Sequence, residues 1–197
     1  MLFVLIADST NLVCIYYLGV IYLNRSLKLW QIGGFIFTGI AGVLLHFLYG
    51  LTNGSIIVAP FSAVNESIWE HMKLLFFPTF AFAAIEYTYI GKDYENFWCT
   101  KLTGALSGLL LIPVLFYTYT GALGVIADWF NVVIFFIAAG TSYYVETLLL
   151  KNRAEIFKTP CIAFIILCMI ALLFVILTFV QPEIPLFMDM STGNYGI

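Results

Sequence analysis

A chain of 197 residues that is 62% hydrophobic and 10% charged cannot coat a soluble globule, whose composition carries about 25% charged residues. Its mean hydropathy of +1.02 sets nearly every helix against lipid or another helix. The formal net charge of -3 leaves no basic surface for nucleic acid, and four cysteines without CxxC spacing read as small buried hydrophobes, not zinc ligands or a disulfide framework.

The length suits one domain, 1–197. A helix needs about 20 mostly apolar residues to cross the hydrocarbon core. Six segments meet that need: 2–23, 31–52, 66–90, 97–119, 124–149 and 160–181. The sequence therefore predicts an all-α integral membrane bundle of six transmembrane helices. The runs are continuous where a barrel strand would alternate, and helices satisfy their own backbone in lipid. The first run lacks a basic leader and carries Asp8, Ser9, Thr10 and Asn11, so it is expected to be a retained span, not a signal peptide.

The connections carry the orientation signal. Arg25 and Lys28 fall after the first run, Lys92 and Lys101 after the third, and Lys151, Arg153 and Lys158 after the fifth. That is seven of eight basic residues in alternate connections. Lys and Arg collect on the cytoplasmic side. A multi-pass plasma-membrane protein with both termini extracytoplasmic is expected. Between the second and third runs, 53–62 is too apolar for an ordinary loop and too short for a span; it is expected to dip back onto the outer face. Ser62 or Asn65 would then cap the third helix. Pro78 and Pro113 should kink or loosen their helices. The tail, 182–197, holds Pro182, Pro185, Gly193 and Gly196 and is expected to be non-helical and extracellular.

The eighth basic residue, Lys73, lies in the most polar stretch of the chain, Asn65 to Lys73. Glu66, Glu70 and Lys73 would share one helical face within about 60°. Intramembrane ionisable groups are costly and usually face a cavity. Asn65, Glu66, Glu70, Lys73 and Asp128 are therefore candidate ligand-binding residues, against the plainer reading of one structural ion pair and helix caps. His46 shares a face with Gly39 and Gly42, small residues that allow close helix approach. His46, Glu70 and His71 are candidate ligands for a divalent transition metal, with Glu66 as candidate general base. The spacing matches no established metal signature, and a histidine simply hydrogen-bonded to a carboxylate explains it equally. Glu86 and Glu146 fall in the inner halves of their helices, either interfacial or as inner stations of a transport path.

These residues carry a resemblance. Leu44–Tyr49, Phe61–Ser62, Val64–His71, Lys73–Pro78, Phe116–Gly121, Ile184–Phe187 and Thr192–Ile197 resemble an uncharacterised family of six-span prokaryotic membrane proteins, a domain of unknown function, over roughly Leu29 to the end. Met190 stands after Asp189 where that family leads one to expect proline. The resemblance implies a bacterial or archaeal protein of the plasma (inner) membrane and supplies no activity. Three functions stay open. One is binding or transport of a small cation or polar solute with proton coupling. A second is an intramembrane metal-dependent hydrolase or transferase acting on lipid. The third is a non-catalytic accessory subunit, in which the polar cluster only locks helices together. The lipid bilayer is a partner in all three, and oligomeric state is left open.

Overall fold

The computed structural model describes residues 2–124, 128–153 and 159–196; the side chains of 2–25 and 128 lie outside the description. Five α-helices follow one another: α1 (Leu2–Leu51), α2 (Ile68–Tyr89), α3 (Phe97–Leu123), α4 (Asp128–Lys151) and α5 (Pro160–Phe179). Short 3-10 turns at Gly91–Asp93 and Pro185–Phe187 complete the described elements, and no strand occurs among them.

Six transmembrane helices is therefore the wrong count. Four stretches among the described residues are long and apolar enough to cross a membrane: Ser26–Leu51, Phe97–Leu123, Trp129–Lys151 and Pro160–Phe179. Two physical reasons account for the difference. The expected break at 24–30 does not form, because Asn24, Arg25 and Ser26 include no proline or glycine to end a helix, and α1 runs unbroken for 50 residues. The third expected span, α2, carries Glu70, Lys73 and Glu86, too polar a load for a lipid-facing helix.

That load faces inward. Glu70, Lys73 and Glu86 are all fully buried. α2 packs against each of the other four helices, so it is the inner helix of the bundle. Its neighbours show the complementary pattern, with Ile32, Ile36, Ile40, Leu110, Val114, Ile165 and Leu172 exposed on outer faces. In a membrane such a belt meets lipid. Pro78 and Pro113 both sit inside uninterrupted helices.

α3 and α4 approach closely through glycine. A Cβ at Gly104 would run into the Glu146 side chain, and one at Gly108 into Ser142 Oγ and the Ala138 carbonyl. Gly42 of α1 likewise lies under Phe135 and the Leu74 carbonyl. The α1–α2 connection folds back on the bundle. Asn53 and Gly54 take positive φ, 53° and 75°, and turn the chain off α1. Ser62 Oγ then accepts from the Tyr49 amide at 2.9 Å and donates to the Leu45 carbonyl at 2.5 Å. The tail docks beside it. Phe187 is buried and stacks on Trp69 with ring centroids 4.6 Å apart, while Trp69 also meets Phe174 of α5 at 4.5 Å. Asp189 closes a local turn. Burial pushes its carboxyl up, but hydrogen bonds from Ser191 and Thr192 outweigh this and hold it below its ordinary value.

Candidate functional site

The site starts with a helix cap. Ser67 Oγ accepts from the Glu70 amide at 3.3 Å, and the Asn65 side-chain oxygen accepts from the Ser67 amide at 3.1 Å. α2 therefore begins at Ile68, and Glu66 stays outside it, held between the two capping residues. Off the helical face, its carboxylate swings toward α1. Oε1 lies 3.6 Å from His46 Nε2, and Oε2 lies 3.6 Å from His71 Nε2. The two imidazole centroids are 5.8 Å apart.

Distances of 3.6 Å are too long for direct hydrogen bonds. They are near the spacing of about 3.4 Å between two ligand atoms on one ion with bonds of about 2.1 Å and tetrahedral angles, each distance being to a different Glu66 oxygen. One ligand atom from each of His46, Glu66 and His71 falls within 4.8 Å of the others. His71 is set for such a role. Its Nδ1 sits 2.8 Å from the Ser67 carbonyl, which can only accept, so Nδ1 carries the proton. In the neutral ring, Nε2 then holds the lone pair that faces Glu66.

A cavity of about 410 Å³ opens at this triad. Its walls are mostly apolar: Val43, Phe47, Leu74, Trp129, Val132 and Phe135. One further polar residue, Asn131, lines it, and its side-chain oxygen accepts from Tyr119 OH at 3.0 Å. Glu66 is 49% exposed and His71 16%, so the donors line the opening and are not sealed in the core.

Glu70 and Lys73 form a different unit. They pair at 2.5 Å with both side chains fully buried. Lys73 Nζ also donates to the Ala59 carbonyl at 2.9 Å and to Thr178 Oγ1 at 3.0 Å, so all three ammonium protons are used. Glu70 Oε2 accepts in addition from the Val64 amide at 3.1 Å. The pair ties α2 to the connecting segment and to α5.

The model of a family of unknown function (DUF6512) matches residues 21–197. The chain belongs to this family. No curated protein and no solved structure matches it. What a DUF6512 protein does must therefore be read from its residues.

Of the residues singled out from the sequence, this DUF6512 chain brings His46, Glu66 and His71 together. It sets Glu70 and Lys73 apart as a buried pair. Asn65 faces the tail, donating to the Gly196 carbonyl at 2.9 Å. Gln181 completes that link by accepting from the Gly196 amide at 2.9 Å. Asp128 is the first residue of α4, but its side chain, like those of Asp8 and Asn11, lies outside the described residues.

The sequence singled out Glu86 and Glu146 separately but did not show that they meet through Lys101 in a second polar cluster of the DUF6512 fold. Lys101, expected in a connection, lies inside α3 and pairs with Glu86 at 2.5 Å and with Glu146. Gln31 Nε2 donates to Glu86 Oε1 at 2.7 Å. The legible signal for the first site was Ser67-Ile68-Trp69-Glu70, a capping-box spelling that puts the helix start after Glu66.

Proposed function

We propose that the protein is a membrane-embedded metal-dependent enzyme, of hydrolase or transferase type, acting on an amphipathic lipid. The observation that carries this reading is the His46–Glu66–His71 triad at the mouth of the apolar cavity, with His71 Nδ1 fixed on the Ser67 carbonyl. Two imidazoles and one carboxylate suit zinc or another first-row divalent ion. Such an ion polarises an ester or phosphoryl oxygen and lowers the pKa of a bound water. In this reading Glu66 serves as ligand, not as the general base. The Asn131 side-chain oxygen is occupied by Tyr119, so its NH₂ is the group that could donate to a substrate oxygen in the cavity. Phe47, Trp129 and Phe135 offer a wall for an acyl or prenyl chain beside the reacting centre.

The distribution of charge supports an extracytoplasmic position for this site. Lys28, Lys92, Lys151 and Arg153 are exposed at the opposite end, while the end that carries His46, Glu66 and His71 exposes no basic side chain among the described residues. A proton-coupled carrier of a small cation is the second reading. The buried Glu86–Lys101–Glu146 cluster at the far end of α2 favours it, since a carrier needs stations at both ends.

Elemental analysis of protein purified without chelator tests the proposal. Wild type should hold about one transition-metal ion per chain, and folded His46→Ala, His71→Ala and Glu66→Gln variants should lose it. Glu70→Gln should keep it. Absence of metal from folded wild type would overturn the reading. Turnover of lipid esters in micelles, set against cation uptake in proteoliposomes, then separates enzyme from carrier.

A further inference from the structure

At the far end of α2 one ammonium faces two carboxylates. Lys101 Nζ bonds Glu86 Oε2 and Glu146 Oε2, and all three side chains are at most 2% exposed. With both acids ionised the cluster would hold one uncompensated negative charge out of contact with water, which is strongly unfavourable. The donor count shows which acid relieves it. Both Glu86 oxygens receive donors, Oε2 from Lys101 and Oε1 from Gln31. Glu146 receives Lys101 on Oε2 only, and its Oε1 is buried with no hydrogen-bond partner among the described residues. Ser142 Oγ, one turn earlier on the same face of α4, is buried in the same condition. A carboxylic acid needs a donor on only one oxygen, and Glu146 receives one on Oε2 alone, so Oε1 is the oxygen that can carry the O–H.

We infer that Glu146 is a proton-binding site: its Oε1 carries an exchangeable proton while Lys101 and Glu86 remain a charged pair. The charged and titratable groups facing it are Lys101 from α3, Glu86 from α2 and Tyr143 on its own helix, while Gln31 from α1 reaches the cluster through Glu86. Aromatic faces hold Lys101 as the cation, with Phe97 and Tyr143 centroids 5.2 and 5.7 Å from Nζ. A pocket of about 290 Å³, lined by Lys28, Gln31, Tyr143, Tyr144 and Thr147, reaches this layer from outside. On release the Oε1–H bond breaks, the proton is taken up by water, and Glu146, whose Oε1 packs on Gly104 of α3, stays as a carboxylate on Lys101. This site stands independently of the metal triad.

Infrared spectroscopy of the purified protein reads this proton directly. Wild type should show a protonated-carboxyl C=O band that shifts in D₂O and is lost as pH rises. Glu146→Gln should abolish it. Glu146→Asp, which keeps a carboxyl, should retain a band at a shifted frequency, and Glu86→Asp should leave the frequency in place. Absence of a band sensitive to Glu146, or a band that follows Glu86→Asp instead, would overturn the inference. If Glu146→Gln does not fold, the frequency comparison of the two aspartate variants still decides.

Discussion

At the residue scale, two acids four positions apart have opposite fates. Glu70 is inside the helix and spends its charge on Lys73; Glu66 is outside it and meets two histidines. Removing one partner of a buried ion pair leaves the other charge uncompensated and costs about 3–5 kcal/mol. Lys73→Met should therefore destabilise the protein by about that much in detergent unfolding, since Glu70, the Ala59 carbonyl and Thr178 all lose their donor. Lys73→Met combined with Glu70→Gln should recover much of the loss. A double variant no better than the single would mean the pair is not the unit. The sequence announced that this stretch was polar, because Asn65 to Lys73 is unlike anything around it. It did not announce which residues meet. Continuing a helical wheel back to Glu66 set it beside Glu70, whereas the two stacked side-chain caps from Asn65 and Ser67 break that periodicity. The Lys101 cluster was illegible for another reason: its members are separated by 15 and 45 residues, and each alone looks interfacial.

At the element scale, hydropathy recovered the helical class and the approximate extents of α3, α4 and α5, because each is a continuous apolar run. It failed where hydropathy changes without a helix breaker, within α1, and where a helix is inner enough to carry charge, in α2. The tail reads as irregular from its prolines and glycines, and the structure gives it a single 3-10 turn, Pro185–Phe187. Its largest apolar hold on the bundle is one aromatic. Phe187 fills a place against Trp69, Leu186 packs on the same cluster, and Met190 packs on the neighbouring cluster of Ile68, Phe116 and Tyr119. Burying an aromatic this fully makes truncation cost about 3–5 kcal/mol. Phe187→Ala should free the tail, seen as rapid protease cleavage between Gln181 and Gly196 while the helices stay intact. Because Gly196 also ties to Asn65, the neighbour of Glu66, the same variant should loosen metal retention at the triad. A tail that stays protected would show that the Asn65–Gln181 hydrogen bonds, not Phe187, hold it.

At the scale of the whole molecule, the two polar sites lie at opposite ends of one inner helix. His71 opens its first turn and Glu86 its last. Thr38, Thr79 and Tyr143 form a hydrogen-bonded layer between them. The ends also differ in charge, with exposed Lys28, Lys92, Lys151 and Arg153 gathered around the Glu86 end. If charge sets the topology, that end is cytoplasmic and the triad faces outward. Single cysteines report this directly once Cys99, Cys161 and Cys168, which are reduced, and Cys14 are replaced by serine. Ser191→Cys in the exposed tail should react with a membrane-impermeant maleimide in intact cells, and Lys92→Cys only after permeabilisation. The reverse labelling would put the triad inside. It would turn the proposed substrate from a lipid of the outer leaflet to one of the inner leaflet, and expose the Glu146 proton site to the extracytoplasmic pH.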